Sequence, residues 1–90
     1  MSFASVWDAI SDTPTEADNM KLRSVLMMAL KGHIAEQGLS QIQAAKPLGV
    51  TQPRVSDLMR GKIDLFELDT LVNMVSAAGL HVEMQVTKAT

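Results

Sequence analysis

Side chains that can read or hold nucleic acid are concentrated in the middle third of the chain. Gln52 carries an amide that can pair bidentately with adenine, and Arg54 carries a guanidinium that can pair bidentately with guanine in the major groove. Ser40, Gln41 and Lys62 flank them with donors that suit phosphate oxygens. The residue types therefore predict one DNA-binding site with two tasks, base reading and backbone holding.

The neighbouring residues predict a helix-turn-helix that positions this site. Counted with Gln41 as position one, Ala45 stands fifth, where two helices cross almost in contact and the residue must be small. Gly49 stands ninth, where a tight turn needs positive φ. An ordinary helical hairpin, whose small residues merely ease packing, is the alternative, and the segregated basic charge described below favours the helix-turn-helix. Three apolar residues are predicted to fill the wedge between the helices: Val50, Val55 and Leu58.

Caps predict the bounds of the two helices. Ser40 is the N-cap of the first, which runs to about Leu48, and Thr51 is the N-cap of the second, which runs to Arg60. Thr51 and Gln52 then stand at the N-terminal end of the second helix, the part that meets base edges in this docking mode. The polar residues predicted on its outward face are Gln52, Arg54, Ser56 and Asp57.

The whole chain is predicted to be one mainly α domain, a bundle of four to five helices with one short C-terminal β-strand. An N-terminal arm covers residues 1–15, a helical core covers 16–79 and the strand covers 80–88. Within the core, a long helix is predicted over 16–37 and a fourth helix over 68–78. The apolar arc of the long helix is broader than one contact face needs, so this helix is predicted to pack on two sides.

The C-terminal strand has no visible partner in the chain. Leu80, Val82, Met84 and Val86 alternate with polar residues, which is the period of a strand. A lone strand leaves its backbone donors and acceptors unpaired. The simplest partner is the same strand of a second copy, so the pattern predicts a homodimer through Leu80–Val86.

The formal net charge of −2 hides a segregation of charge along the 90 residues. Residues 1–20 sum to −4, residues 21–62 to +5 and residues 63–90 to −3. The basic block coincides with the predicted helix-turn-helix, as expected of a DNA-binding surface. The acidic ends would repel DNA and are predicted to face away from it.

Composition argues against other classes of protein. The chain has no cysteine, so disulfides and thiolate metal sites are excluded, and His33 and His81 have no clustered ligand set. No catalytic constellation or phosphate-binding glycine loop is present. No apolar run is long enough to cross a membrane and no export signal is evident. We therefore expect a cytoplasmic protein that is not an enzyme and needs no metal or cofactor.

The stretch GLSQIQAAKPLGVTQPRVSDLMRGK, followed by FELDTLVNMVSAAGLHVEMQV, resembles the Xre/Cro-type helix-turn-helix family, with a lambda-repressor-like fold. Within that family the HigA-like antitoxin branch is the most similar, in TQPRVSDLMRGK, in LDTL and in a short terminal strand after a glycine. The resemblance covers roughly residues 20–87. It implies a dimeric bacterial repressor that often binds a RelE-like ribonuclease toxin and represses the shared operon. By position it assigns DNA contacts to Thr51, Gln52, Arg54, Ser56 and Arg60, and backbone contacts to Gln41 and Lys62.

Two residues depart from the family pattern. Pro47 lies inside the first helix of the motif, where it removes a hydrogen-bond donor, so a kink or an early end is expected there. Glu67 stands where the family often has a serine cap. Two other functions remain open at this point: a stand-alone or phage-type repressor without a toxin, and a protein-interaction module that retains the fold.

Overall fold

The computed structural model describes residues 14–88, which form four α-helices and one 3-10 turn. The predicted N-terminal arm lies outside this range except for its last two residues. The elements are α1 (Pro14–Glu36), α2 (Gln41–Leu48), α3 (Gln52–Met59), the 3-10 turn (Ile63–Leu65) and α4 (Leu68–Ala77).

Helix α1 begins two residues earlier than predicted. Pro14 was predicted to lie in the N-terminal arm, but it is the first residue of the helix. Proline suits that position because its fixed φ is already helical and its missing N–H would have no intrahelical partner. The helix ends as predicted before Gly38, which takes a left-handed φ of 65°.

The predicted caps of α2 are confirmed. The Ser40 hydroxyl accepts from the Gln43 backbone N–H at 3.2 Å, and the Gln43 side chain accepts from the Ser40 N–H at 2.9 Å. This reciprocal pair satisfies two otherwise unpaired donors at the start of the helix. Gly49 ends α2 with φ 70°. The early end expected from Pro47 is wrong, because this residue lies in the last turn and α2 continues to Leu48.

Helix α4 begins at Leu68, as predicted, although Glu67 does not cap it with its side chain. Glu67 takes the extended backbone conformation of an N-cap, and its carbonyl oxygen accepts from the Leu71 N–H at 3.1 Å. The departure at Glu67 therefore leaves the start of α4 unchanged.

The core lies where α1, α4 and the α2–α3 pair meet. Phe66, in the short link between the 3-10 turn and α4, is fully buried near its centre. Phe66 lies outside the helices predicted from the sequence and was not assigned to the core. Eleven apolar residues are buried: Met27, Leu30, Ile34, Ala44, Leu48, Val55, Leu58, Phe66, Leu71, Met74 and Val75.

Only one side of α1 enters this core, so packing on two sides is not seen within residues 14–88. Leu22 and Val25, which lie on another side, remain exposed, Val25 by 57%. They line a groove whose other wall is residues 82–87. The wide apolar arc of α1 therefore leaves apolar surface uncovered in the single chain.

Residues 80–88 form no strand in the part of the chain that the structure describes, so the C-terminal β-strand is not confirmed. Over its first four residues, the alternating sequence pattern still corresponds to an alternation of half-buried and exposed side chains. Leu80 and Val82 are half-buried against the core, whereas His81 and Glu83 are exposed. Beyond Glu83 the segment leaves the core, and both polar and apolar side chains are exposed.

Candidate nucleic-acid interface

The α2–turn–α3 motif is held together by the apolar wedge predicted from the sequence. Val55 and Leu58 of α3 are fully buried, and Val50 in the turn is half-buried against them. Gly49 supplies the left-handed conformation of the turn, and the N–H of Val50 donates to the carbonyl of Ala45 at 3.0 Å. These contacts fix the direction of α3 relative to α2.

The small residue that α2 buries differs from the one predicted. Ala45 is only half-buried, whereas Ala44 is fully buried. Ala45 still packs against the core from its half-buried position.

Helix α3 turns a polar face away from the core. Gln52, Pro53 and Arg60 are exposed, and Ser56 and Asp57 are half-buried. Spacings of three and four residues place Pro53, Ser56 and Arg60 in one row, opposite the buried residues of the helix. This row, with Gln52 beside it at the N-terminal end, is the surface that α3 can offer to a ligand.

Thr51 lies at the open N-terminal end of this surface. It is exposed, and its carbonyl oxygen accepts from the N–H groups of Arg54 and Val55 at 3.1 and 3.2 Å. Its hydroxyl makes no capping hydrogen bond. The hydroxyl is therefore not committed to the helix and can serve a ligand.

Arg54 does not lie on the open face, and the prediction that it faces outward is wrong. It is half-buried, and its guanidinium carbon lies 4.5 Å from the centroid of the Phe66 ring. Arg54 directly precedes Val55 and lies four residues before Leu58, so it stands at the rim between the core and the outward face. The flat guanidinium covers the aromatic ring, which is a favourable cation–π arrangement.

The two residues predicted to hold phosphate at the start of α2 are both exposed. The Ser40 hydroxyl accepts a hydrogen bond within the cap, and its own proton remains available to a ligand. Gln41 is the first residue of α2, where backbone N–H groups point out of the helix. The structure thus places the predicted site residues on both helices of one motif.

Lys62 lies just beyond α3 and forms a long ion pair, 3.8 Å from its Nζ to Asp57 Oδ1. The pair is partly exposed, so its contribution to stability is small. Its electrostatic effect matters more, because a bare carboxylate on α3 would repel phosphate. Lys62 remains 45% exposed and close to the end of the helix.

Two basic residues of α1 that sequence analysis did not assign to the site lie near this end of α3. Lys31 lines a shallow groove together with Gly61 and Ile63. Arg23 Nη1 donates to the carbonyl oxygens of Ile63 and Phe66 at 3.5 and 3.4 Å. Their position in the basic block was the only signal in the sequence, since the contacts span about 40 residues of chain.

Neither of two other kinds of site is found in the described range. No helix within residues 14–88 has the length and apolar character to cross a membrane. Over the same range no three or more histidine, cysteine or acidic side chains gather in a group that could hold a metal ion.

Comparison with known proteins agrees with this architecture. A family of helix-turn-helix domains matches residues 9–87. A solved structure, provisionally described as an XRE-family transcriptional regulator, is similar with 33% identity and a TM-score of 0.74. The match covers 81% of this chain and 82% of that one. No curated protein sequence matches the chain. The chain therefore belongs to the helix-turn-helix domain family, and it shares the fold of an XRE-family transcriptional regulator.

Proposed function

We propose that the chain represses transcription by binding a specific operator through α3, as the antitoxin of a toxin–antitoxin pair that controls its own operon. Its family and its structural neighbour support the broader role, a DNA-binding transcriptional regulator. The observation that carries the proposal is the outward row of α3, polar and exposed above a tightly packed apolar wedge. A side chain must be held in this way to meet a base edge in the major groove.

Chemistry divides the work between the residues of this surface. Gln52 and Thr51, at the N-terminal end of α3, are proposed to meet base edges, as is Ser56 in the row beside them. Arg60 lies one turn further on, at the end of the row. Ser40, Gln41 and Lys62 are proposed to hold phosphates on either side of the groove. Together with Arg54, these residues form the proposed DNA-binding set.

The test is repression of a reporter gene placed behind the DNA that lies upstream of this chain's own coding sequence. The wild-type chain should repress it in the cytoplasm, where we propose that it acts. Gln52→Ala should relieve repression, whereas Asn73→Ala, a change at an exposed residue of α4, should not. Full expression of the reporter in the presence of folded wild-type chain would contradict the proposal.

The repressor is proposed to act as a homodimer joined through Leu80–Val86. Apart from one hydrogen bond from the Leu80 N–H to Val75, the backbone of residues 80–88 makes none within the described chain. Met84 and Val86 are 61% and 86% exposed and border the same groove as the exposed Leu22 and Val25 of α1. Antiparallel pairing with the same segment of a second copy would satisfy the backbone and cover apolar side chains together.

A dimer also fits the proposed DNA site. Two copies related by a two-fold axis would present two α3 helices to two half-sites about one or two helical turns apart. The acidic C-terminal block would then lie at the interface, away from DNA, as its charge requires.

The antitoxin role rests on the resemblance quoted above and has its own test. The partner would be a RelE-like toxin, encoded by a short reading frame beside this one. Co-expression with that reading frame should restore growth that the toxin alone arrests, and the two chains should co-purify. If no toxic frame is adjacent while reporter repression holds, the stand-alone repressor is the correct function. A folded chain that binds protein but no DNA would identify an interaction module.

A further inference from the structure

Phe66 forms a platform beneath Arg54. Phe66 is fully buried, and the guanidinium carbon of Arg54 lies over its ring at 4.5 Å from the centroid. A cation–π contact uses no hydrogen-bond donor, so the N–H groups of the Arg54 guanidinium are not consumed by the ring. The platform therefore restricts where Arg54 points without consuming its hydrogen-bonding capacity.

The place of Arg54 on α3 decides what those donors can reach. The outward row of Pro53, Ser56 and Arg60 runs along the centre of the exposed surface, and Arg54 lies at its rim, beside Val55. When a helix lies in the major groove, residues at its centre face base edges and residues at its flanks face the phosphate walls. A stacked arginine at the rim is therefore suited to phosphate.

The platform is tied to the rest of the molecule. Arg23 of α1 donates to the carbonyl oxygens of Ile63, the first residue of the 3-10 turn, and of Phe66, just past its end. These two hydrogen bonds attach the segment that contains Phe66 to α1, the longest helix. The position of Arg54 thus depends on contacts far from α3 in sequence.

We propose that Phe66 is a positioning residue that holds Arg54 against the DNA backbone, so that Arg54 contributes affinity rather than base preference. The inference rests on the proposed function, because it assumes that α3 docks on DNA. It replaces the interpretation, drawn from residue type alone, that Arg54 reads guanine.

The test is a double-mutant cycle of Phe66→Leu and Arg54→Ala, read as binding of the full chain to labelled operator DNA and to a random duplex. Arg54→Ala should weaken both complexes by a similar factor, about tenfold, and lower the salt slope by about 0.9 for each protomer bound. Phe66→Leu should weaken both by about threefold, the worth of a lost cation–π contact. In the Arg54→Ala background, Phe66→Leu should have no further effect.

Two further variants serve as controls for the double-mutant cycle. Leu71→Val removes volume from the same core at a buried residue of α4, and its effect on binding should be negligible and should not depend on Arg54. Arg54→Lys keeps the charge but loses the flat guanidinium, so it should weaken binding by about the threefold expected of Phe66→Leu. This variant tests the same contact if Phe66→Leu does not fold.

The outcomes separate this inference from the proposed function. Wild-type chain that binds no DNA removes the proposed function. If the wild type binds and Arg54→Ala alters base preference at one position while leaving the random duplex unaffected, Arg54 reads a base and the inference is wrong. Additive effects of the two substitutions would remove the platform role of Phe66.

Discussion

At the scale of single residues, polar residues on α3 and just past its end differ in what surrounds each side chain, and these surroundings decide their roles. Gln52 is exposed at the N-terminal end of α3, Arg54 is stacked on a buried ring, and Lys62 is paired with Asp57. Residue type alone assigned base reading to both Gln52 and Arg54. Only the packing separates them.

Gln52→Ala should therefore cost about 1–3 kcal/mol on the operator and relax the preference at one base pair in each half-site. The side chain is exposed, so the thermal midpoint should stay within experimental error of the wild type. Competition between single-base operator variants measures the preference. Unchanged affinity and unchanged preference in a folded variant would show that α3 does not read bases through Gln52.

Lys62→Ala should act differently, because Lys62 lies past the end of α3. It removes a cation and also leaves the Asp57 carboxylate uncompensated near the phosphates. Binding to operator and to random DNA should weaken together, and the slope of log affinity against log salt should flatten by about 0.9 for each protomer bound. Lys88→Ala, at an exposed lysine near the C-terminus, is the matched control and should change neither quantity.

At the scale of elements, the motif depends on a few residues with special backbone requirements. Ser40 starts α2 with a reciprocal cap, and Gly49 ends it in a left-handed conformation. Both positions were predicted because serine favours helix N-caps and glycine favours positive φ. Pro14 was placed in the N-terminal arm and not in α1, although proline, which is poorly tolerated inside a helix, is well suited to its first residue.

The parts that could not be predicted depend on contacts across the chain. Phe66 lies in an irregular segment with no periodicity, so its burial follows only from packing between parts of the chain that are distant in sequence. The rim position of Arg54 and the anchoring role of Arg23 depend on that ring in turn. The site residues on α2 and α3 were found because they belong to a local motif, and the supporting residues were missed because they do not.

Gly49→Ala should destabilise the fold by about 1–2 kcal/mol, since φ is 70° there and an added Cβ meets Ala77 only at an ordinary 3.8 Å. Strain in the backbone, not a clash, is the cause. Gly32→Ala is the matched control: Gly32 is helical with nothing within 4 Å of an added Cβ, so the variant should gain up to about 1 kcal/mol. Urea unfolding of both variants measures the two signs. Equal effects would contradict the observed backbone of the turn.

At the scale of the whole molecule, the proposed DNA-binding surface and the proposed dimer surface are built from different elements. The first is formed by α2 and α3, and the second by Met84 and Val86 of the acidic C-terminal block together with the exposed apolar residues of α1. One surface is suited to DNA and the other to a second copy. Dimerisation would bring two basic surfaces to one operator, and the free energy of each half-site would then contribute to one complex.

Met84→Lys combined with Val86→Lys should therefore yield a monomer, because the changes place charge on the proposed interface while both side chains are largely exposed in the single chain. Met28→Lys introduces charge at an equally exposed methionine of α1, outside that groove, and should remain dimeric. Sedimentation at tens of micromolar distinguishes the species.

Deleting residues 80–90 should also weaken the dimer, with some loss of stability because Leu80 and Val82 pack on the core. A wild-type chain that is monomeric at this concentration would contradict the dimer.

The central claim, that α3 carries a sequence-specific DNA site, is tested most directly by titrating the full chain against the labelled DNA upstream of its own coding sequence. The measurement is the affinity at salt concentrations between 50 and 200 mM, with protection mapping of the bound fragment. The account predicts two protected half-sites about one or two helical turns apart and an affinity that falls steeply with salt, because bound counterions are released. No binding to the upstream DNA, or binding with neither salt dependence nor a protected sequence, would contradict it.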